Sequence, residues 1–197
     1  MNAHDHIKSH FDDEAECFDG IIIKLIPFYT EMIGALTRAV CKDTSASLDA
    51  IDLGCGTGTV ALEVMKVYPY ARMTCMDLSA NMLDIAKSKL SGFKSAEYEE
   101  GNFRTYRFRR EYDLMVSSLA MHHIETYDQK FEFYRRIHAA LKPDGVFVNA
   151  DIVLGTSEAI QLMYLERWKD YMGKSVGADE IDVVWKYYNF AVFRGGK

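Results

Sequence analysis

The sequence predicts a doubly wound α/β fold, in which helices cover both faces of a mostly parallel β-sheet. Three observations lead to this prediction. Short apolar runs alternate along the chain with stretches of helical periodicity. A loop with three glycines, Gly54, Gly56 and Gly58, follows the first apolar run, and the acidic Asp77 ends the second. Strands that alternate with helices form a parallel sheet, because each helix returns the chain across one face of that sheet.

Two helices are expected before the sheet. Apolar residues recur at helical spacing from Glu14 to Val40, and Pro27 interrupts them where it suits the first turn of a second helix. A short polar linker, Lys42 to Ser47, then leads into the first strand.

Strands and helices alternate over the rest of the chain, and Ser79 is expected to cap one of these helices. The predicted strands are Leu48–Leu53, Ala71–Met76, Ala96–Glu100, Tyr112–Ser117 and Gly145–Val153. The predicted helices are Thr59–Val67, Ser79–Leu90, Tyr127–Leu141 and Glu158–Met172. Two β-rich runs in close succession, Asp182–Tyr188 and Phe190–Arg194, predict a C-terminal antiparallel hairpin that completes a seven-stranded sheet.

Length and composition limit the class of protein. A chain of 197 residues can bury a full core but is short for two domains, so we expect one structural domain. Within it, residues 1–46 are expected to form an N-terminal helical cap and residues 47–197 the core. A net charge of −6 argues against a protein that coats nucleic acid non-specifically, because such binding needs lysine and arginine to neutralise phosphates.

The compartment follows from the N-terminus and the cysteines. The first residues lack a basic flank followed by an apolar stretch, and no apolar run could span a bilayer, so we expect a cytoplasmic protein without membrane association. The cysteines are spaced neither as a zinc site nor as a disulfide framework and are expected to be reduced and mostly buried. They are Cys17, Cys41, Cys55 and Cys75.

The glycine loop predicts a ligand site. In a doubly wound sheet the ligand lies outside the carboxyl ends of the strands, where the chain order reverses beside the first strand. Glycine allows the sharp turn and the close approach of the backbone that this place requires. The spacing Gly-x-Gly-x-Gly is tighter than the Gly-x-Gly-x-x-Gly loop that holds a pyrophosphate, which favours a ligand without phosphates.

Asp77 supports a ribose-containing ligand. It lies about twenty residues after the loop, where an acidic side chain can accept both ribose hydroxyls. Its alternative role is to cap the helix that begins near Ser79, since aspartate is a common N-cap. The two roles are compatible.

A series of motifs in order resembles class I S-adenosylmethionine-dependent methyltransferases, whose fold is Rossmann-like. The resemblance extends from Leu48 to Val153. It consists of the run Ile51-Asp52-Leu53-Gly54-Cys55-Gly56-Thr57-Gly58, Asp77 after the second strand, Gly101-Asn102-Phe103 after the third, Tyr112–Ser118 as the fourth strand, and Leu141-Lys142-Pro143-Asp144-Gly145 before the fifth.

The resemblance implies a set of S-adenosylmethionine-binding residues, with S-adenosylhomocysteine as the product. The glycine loop would pack against the methionine part, Asp77 would hold the ribose, and Asn102 with Phe103 would frame the adenine. Asn102 stands where the family usually has aspartate; an amide can both donate and accept, and the alternative is a simple turn residue. The full set is Tyr29, Asp52, Gly54, Cys55, Gly56, Gly58, Asp77, Leu78, Met82, Asn102, Phe103 and Ser118.

The N-terminal stretch from His10 to Ile33 resembles the carboxy-S-adenosylmethionine synthases of tRNA wobble-uridine modification. In those proteins the tyrosine of a similar Pro-x-Tyr segment touches the cofactor, so Tyr29 is a candidate contact here; the alternative is a packing aromatic. The synthases also use an arginine after the fifth strand to hold the extra carboxylate. Asp170 lies near that position, with Arg167 close by, so ordinary S-adenosylmethionine is the expected ligand.

His122 and His123, after the fourth strand, are the candidate catalytic residues. Histidine titrates near neutral pH and could take a proton from an acceptor, although methyl transfer needs a base only when the acceptor must lose a proton. The alternative is packing or loop hydrogen bonding. No His, Cys and carboxylate spacing converges on a metal site, so none is expected.

A segment between the helix at Glu158–Met172 and the final hairpin is shorter than in relatives. Either the lid over the acceptor pocket is short or residues are absent, and we expect a break in the chain near Val176 to Glu180.

The sequence therefore predicts an S-adenosylmethionine-dependent methyltransferase with a small-molecule acceptor. The alternatives are a carboxy-S-adenosylmethionine synthase that acts in a tRNA pathway, a non-catalytic S-adenosylmethionine-binding module, and, least favoured, a nicotinamide dehydrogenase. A homodimer is a further expectation.

Overall fold

The computed structural model describes residues 15–176 and 190–196 of the chain. The N-terminal helices are α1 (Phe18–Leu25) and α2 (Tyr29–Ala39). The core that follows consists of β1 (Asp49–Leu53), α3 (Thr59–Val67), β2 (Arg72–Asp77), α4 (Ala80–Lys89), β3 (Ala96–Glu100), β4 (Tyr112–Ser118), a 3-10 turn (Met121–His123), α5 (Tyr127–Ala140), β5 (Leu141–Ile152), α6 (Glu158–Val176) and β6 (Phe190–Gly196).

The described strands form one sheet in the order β3-β2-β1-β4-β5-β6. β1 to β5 pair in parallel, and β6 pairs antiparallel with β5, with Ile152 opposite Phe190 and Val146 opposite Gly196. The chain order reverses between β1 and β4, so a crevice opens where these two strands end. The predicted doubly wound α/β class is confirmed.

The strand count is the part of the fold prediction that needs correction. Six strands are described rather than seven, because the predicted strand Asp182–Tyr188 lies outside the described residues. The second hairpin strand is present as β6 and pairs with β5. The predicted break near Val176 to Glu180 also falls, from residue 177 onward, outside the residues that the structure describes.

Hydrophobic clusters lie on both faces of the sheet. One joins the strands to α1, α2, α3 and α4, with Leu36 and Val64 fully buried. The other packs α5 against the opposite face through Phe133 and Ile137. Since α1 and α2 share the first cluster with the strands, the N-terminal helices pack directly on the core.

Local signals account for the helix boundaries. The Ser79 hydroxyl accepts a bond from the backbone N–H of Met82 and caps α4, as predicted. Thr126 and Gln129 form a capping box that starts α5. β5 begins earlier than the predicted Gly145, because Leu141 already pairs with Tyr112 across an irregularity in the register.

Two further expectations can be compared with the described residues. The four cysteines are free, but only Cys55 and Cys75 are buried, whereas Cys17 and Cys41 are exposed. Within residues 15–176 and 190–196, no single helix is both long and apolar enough to cross a bilayer; α1 and α2 pass that test only as a pair, which is bent by 94°.

Candidate active site

A cavity opens at the carboxyl ends of β1, β2, β3 and β4, under α1 and the start of α2. Its walls carry twelve of the fourteen residues that the sequence predicted for the site: Tyr29, Asp52, Gly54, Cys55, Gly56, Asp77, Leu78, Met82, Asn102, Phe103, Ser118 and His123. Gly58 and His122 do not line it. The structure adds residues that the motifs missed: Phe18, Ile22, Thr57, Thr59, Val60, Arg104, Leu119 and Ala120.

The glycine loop joins β1 to α3 and forms the floor of the cavity. Gly54 has a φ of +72°, and a Cβ there would lie 2.7 Å from the Cβ of Ala120. Its backbone N–H and that of Cys55 both donate to the Met76 carbonyl at 2.9 Å, which ties the loop to the end of β2. Gly54 is therefore required both by the backbone conformation and by the close approach of the loop after β4.

Gly58 has a different role from the one the motif implied. Its φ is +79°, and a Cβ there would lie 3.0 Å from Ala86 Cβ and 3.4 Å from Leu90 Cδ1, both of which belong to the α4 side of the core. Gly58 allows α3 and α4 to pack closely and does not face the cavity.

Asp77 ends β2 and fastens the glycine loop. One carboxylate oxygen accepts from the backbone N–H of Gly56 at 2.8 Å, and the other accepts from the N–H of Ser79 at 2.9 Å. Ser79 itself caps α4, so Asp77 is not the N-cap. Its bond with the Ser79 N–H instead closes a turn that precedes the cap. The carboxylate lines the cavity and is within reach of a ligand there.

Asp52 is the most unusual group in the cavity. It is completely buried, and both carboxyl oxygens lack a hydrogen-bond partner among the described residues. Burial, with the charge of Asp77 adding to it, raises the pKa of Asp52 to about 8; the backbone N–H of Ala61 opposes the shift without reaching hydrogen-bond geometry. The hydroxyl of Ser118, at the end of β4, is also buried and unpartnered among the residues described. Buried polar groups normally have partners, so both groups point to a polar ligand.

Tyr29 enters the cavity from the first residue of α2. Burial, together with the negative charges of Asp19 and Asp52, raises its pKa to about 12, and a hydrogen bond with Thr59 opposes the shift. Tyr29 is therefore a neutral phenol throughout the physiological range. Tyr29 lines the cavity and also packs against the hydrophobic core cluster, so its position is compatible with both predicted roles.

A polar cluster holds α1 against the glycine loop. Asp19 on α1 accepts from the Thr57 hydroxyl at 2.6 Å and pairs with Lys89 of α4 at 2.6 Å, while Lys89 also donates to the hydroxyls of Thr57 and Thr59 at 2.9 Å. Although burial raises it, the hydrogen bonds from Lys89 and Thr57 bring the pKa of Asp19 below its ordinary value. This Asp19 cluster places Phe18 and Ile22 in the cavity wall.

The loop after β3 forms the far end of the cavity and is held in place by α5. The Arg136 guanidinium on α5 donates to the carbonyls of Arg104 at 2.6 Å and Tyr106 at 3.0 Å, and it lies over the ring of Phe133. The Phe133 ring in turn packs against Phe103, with 5.5 Å between ring centroids. These contacts with α5 fix the loop in the conformation in which Phe103 lines the cavity.

The two adjacent histidines lie in the 3-10 turn and have different surroundings. His122 turns away from the cavity: its Nδ1 lies 2.7 Å from one oxygen of the buried Asp151, and its backbone N–H donates to the other at 3.1 Å. His123 lines the cavity, with its ring centroid 4.2 Å from that of His122. His122 therefore anchors the turn on β5, and of the two histidines His123 is the one that lines the cavity.

Comparison with known proteins agrees with this geometry. Residues 50–145 match the family model described as a methyltransferase domain. That match covers just under half of the chain. The family-model match confirms the predicted enzyme class and S-adenosylmethionine as the cofactor of that class.

Curated relatives of the chain include carboxy-S-adenosyl-L-methionine synthases and malonyl-[acyl-carrier protein] O-methyltransferases. The chain is 25% identical over 179 residues to the carboxy-S-adenosyl-L-methionine synthase of a Nitratiruptor species, covering 89% of this chain and 74% of that protein. It is 25% identical over 148 residues to the malonyl-[acyl-carrier protein] O-methyltransferase of Halalkalibacterium halodurans, covering 72% of this chain and 53% of that protein.

Solved structures show the same fold. The N-methyltransferase NodS from Bradyrhizobium japonicum WM9, in complex with S-adenosyl-L-homocysteine, superimposes with a TM-score of 0.62 at 16% identity, over 85% of this chain and 84% of that one. The DhpI–S-adenosylhomocysteine complex superimposes with a TM-score of 0.60 at 19% identity, over 83% of this chain and 84% of that one. At such identities the likeness concerns the fold alone.

Proposed function

We propose that this protein transfers the methyl group of S-adenosylmethionine to a small-molecule acceptor. The observation that carries the proposal is the Asp52 carboxyl, which is buried in the cavity wall without a hydrogen-bond partner among the described residues. A cationic ligand group that pairs with it offsets the cost of its burial. S-adenosylmethionine carries both an ammonium and a sulfonium group.

The remaining wall residues fit the other parts of the cofactor. The sheet order sets Asp77 of β2 between the glycine loop of β1 and the Asn102 loop of β3. Asp77 would accept the ribose hydroxyls, and Phe103 would pack against the base. The glycine loop, which a Cβ at Gly54 would fill, would hold the methionine part beside Ser118.

The acceptor end lies at the loop after β4. When bound, S-adenosylmethionine supplies an activated methyl group, so that an acceptor electron pair forms the new bond to carbon while the sulfur keeps the electrons of the breaking bond. Phe18, Ile22 and Leu119 exclude water there, and Tyr29 offers a neutral hydroxyl to orient the acceptor. Where the acceptor must lose a proton, His123 would receive it.

The curated relatives favour carboxy-S-adenosylmethionine synthase as the activity, whereas the residues that line the cavity argue against it. That chemistry needs a positive side chain near the sulfonium methyl to hold the extra carboxylate. Arg104 is the one lysine or arginine among the described cavity residues, and it belongs to the β3 loop, at the end that would take the base. Arg167 and Asp170 lie exposed on α6 and do not line the cavity. We therefore propose the ordinary methyl donor.

Binding and turnover assays test the proposal together. The purified protein is expected to bind S-adenosylmethionine and S-adenosylhomocysteine by calorimetry, and to release S-adenosylhomocysteine when supplied with a panel of small hydroxyl and amine acceptors. Production of carboxy-S-adenosylmethionine from prephenate, measured by mass spectrometry, would establish the synthase alternative instead. Tight binding with no transfer to any acceptor would favour the non-catalytic module.

We also propose a cytoplasmic homodimer without membrane contact. Three aromatic side chains on α5, Tyr127, Phe131 and Tyr134, recur at helical spacing and are exposed, which supports burial against a second copy. Light scattering is expected to give twice the chain mass of 22.5 kDa, and Phe131→Glu to return the monomer. A monomer at all concentrations would contradict the dimer.

A further inference from the structure

The loop that follows β4 supplies a continuous part of the cavity wall. Four of its residues line the cavity: Ser118, Leu119, Ala120 and His123. Ala120 is the neighbour that a Cβ at Gly54 would meet at 2.7 Å, so this loop closes directly against the glycine loop. The shape of the ligand site on this side therefore depends on the backbone conformation of the loop after β4.

Leu119 has an unfavourable backbone conformation within this loop. Its φ is +53°, in the left-handed region, where a Cβ lies too close to the following carbonyl oxygen. Leucine lacks the short polar side chain with which asparagine or aspartate adapts to that region. Contacts from outside the loop must therefore keep Leu119 in this conformation.

These contacts come from the end of β5. The last paired residues of β4 and β5 are Ser118 and Ala150, but β5 continues beyond Ala150 along β6. The Ala150 carbonyl accepts from the Leu119 N–H at 2.8 Å. One position further, the buried Asp151 accepts from the His122 N–H at 3.1 Å, and its other oxygen lies 2.7 Å from His122 Nδ1. Leu119 thus lies between the end of β4 and a turn that Asp151 holds at two atoms.

Asp151 acts on the cavity without belonging to its wall. Neither Asp151 nor His122 is among the described residues that line the cavity. Met121 and Ile124 are buried in the cluster with α5, so apolar packing attaches the turn to the core. Apolar packing is not directional, whereas two hydrogen bonds to one carboxylate fix both the position and the orientation of the turn.

We propose that Asp151 is a positioning residue of the cavity, which holds the turn at His122 and thereby keeps Leu119 left-handed and Ala120 against the glycine loop. This inference deepens the proposed function and rests on it, since the wall belongs to the same cofactor site. Asp151 acts in this scheme as an acceptor for the His122 N–H and not as a charge that meets a ligand.

Variants at Asp151 test this role with S-adenosylhomocysteine as the probe. Asp151→Ala removes both bonds and is expected to weaken binding by about tenfold in calorimetry, because the relaxed loop no longer presents a formed wall. Asp151→Asn keeps an oxygen that can accept from the His122 N–H, so its loss is expected to stay within about threefold.

Asp113→Ala is the matched control for these variants. Asp113 also accepts from a backbone N–H, that of Asp49 at 2.8 Å, but it lies at the opposite end of β4 from the cavity. The control is expected to lower the melting temperature and to leave the affinity for S-adenosylhomocysteine unchanged.

Leu119→Gly provides a rescue that a merely structural role for Asp151 would not show. Glycine adopts a positive φ without steric cost, so the loop no longer needs to be held in that conformation. In the Leu119→Gly background, Asp151→Ala is expected to change the affinity by less than about threefold. The comparison between the two backgrounds removes any effect that Leu119→Gly has by itself.

A measurement without ligand follows the loop directly. Hydrogen exchange of the Leu119 amide is expected to accelerate about tenfold in Asp151→Ala, although its own acceptor at Ala150 is untouched. If Asp151→Ala does not fold, His122→Ala takes its place, since it removes the ring bond and keeps the backbone bond, and a smaller acceleration is expected.

The outcomes separate the inference from the proposed function. Unchanged exchange at Leu119, equal losses of affinity in Asp151→Ala and Asp151→Asn, or a loss that Leu119→Gly does not reduce would each overturn the inference while leaving the cofactor assignment intact. Failure of the wild-type protein to bind S-adenosylhomocysteine would overturn the proposed function, and the exchange at Leu119 would then still decide the role of Asp151.

Discussion

At the scale of single residues, the buried Asp52 carboxyl is expected to lower the stability of the folded protein and to strengthen cofactor binding. Its buried carboxyl has no hydrogen-bond partner among the described residues, and its pKa is raised to about 8 by burial and by Asp77. An unfolded chain ionises this group near pH 4, so the folded protein must hold a proton that the unfolded chain has released. The resulting cost grows as the pH rises from about 4 toward 8 and is constant above that range.

Asp52→Asn is expected to stabilise the protein in the absence of cofactor and to weaken cofactor binding. The amide removes the cost of ionisation, so the melting temperature should rise by about 4 °C or more at pH 8 and by less at pH 5. The affinity for S-adenosylmethionine should fall by about tenfold or more, because a neutral amide cannot pair with a cation. Thermal melts and calorimetry measure the two effects; a variant that melts no higher at either pH would contradict the assignment.

Gly54 is constrained by a single neighbouring methyl group as well as by its own φ. Gly54→Ala would set two Cβ atoms 2.7 Å apart and is expected to lower both the melting temperature and cofactor affinity. Adding Ala120→Gly should restore part of the loss, since it removes the clash and leaves the unfavourable φ. Gly56→Ala is the control, because nothing lies within 4 Å of a Cβ there although φ is +53°. Equal losses in the Gly54 and Gly56 variants would rule out the contact with Ala120.

At the scale of elements, α1 is attached to the core at two places. Its N-terminal end holds the glycine loop through Asp19, Thr57 and Lys89. Its C-terminal end receives a hydrogen bond from the Trp168 indole of α6 to the Leu25 carbonyl, at 2.8 Å. Since α1 buries only Ile22 and its ion pair is partly exposed, we expect this helix to open without unfolding of the sheet.

Asp19→Asn and Lys89→Met are each expected to accelerate dissociation of S-adenosylhomocysteine by about two- to tenfold, since either one loosens α1 over the cavity. The double variant should dissociate no faster than the more affected single one, because the two side chains act as a pair. Lys87→Met, which breaks only the exposed pair with Asp84 on the same helix, is the control. Stopped-flow measurement of the dissociation rate decides this, and additive effects would show that Asp19 and Lys89 act independently.

At the scale of the whole molecule, an ionic network joins strands at the end of the sheet away from the site. Lys142 of β5 lies 2.7 Å from Asp49 of β1 and 2.8 Å from Asp113 of β4, and Asp49 also pairs with Arg72. Although burial raises it, hydrogen bonds from Lys142 and Arg72 lower the pKa of Asp49. The hydrogen bonds that Lys142 donates to Asp113 and Asp49 raise the pKa of Lys142.

Lys142→Met is expected to lower the melting temperature by about 2–4 °C at pH 7, because it removes the cation that bridges Asp49 and Asp113. The lowered pKa of Asp49 means that its stabilising contribution is present above its ordinary pKa of 3.8 and is lost as the pH falls through the lower folded value. The difference between the variant and the wild-type protein should therefore shrink in acid. Cofactor affinity should not change, and a difference in melting temperature independent of pH would argue for lost packing instead.

Several features followed from sequence because local chemistry decides them. The helical spacing of apolar residues and the cap at Ser79 predicted α4, and the glycine loop with Asp77 predicted the cofactor site. Motifs of this kind depend on neighbours within a few residues, so the printed order of residues contains them. The family resemblance added Asn102 to the predicted site residues, although no periodicity would have singled it out.

Other features depended on contacts between distant segments. Gly58 belongs to the same motif as Gly54, yet it faces α4 rather than the cavity, and His122 and His123 are adjacent but face different surroundings. Sequence spacing does not state which side of a loop a residue faces. The Asp19 cluster joins residues more than thirty positions apart, and it carried no local signal.

By itself, the sequence determined the alternation of strands and helices, the enzyme class and the cofactor, because periodicity and the glycine loop are local and specific. Only the tertiary structure decided which polar groups lack partners among the described residues, which histidine reaches the cavity, and which residue of β5 holds the turn after β4. These depend on burial and on hydrogen bonds to backbone groups, such as the His122 N–H, whose positions are set when the loops pack against the folded sheet.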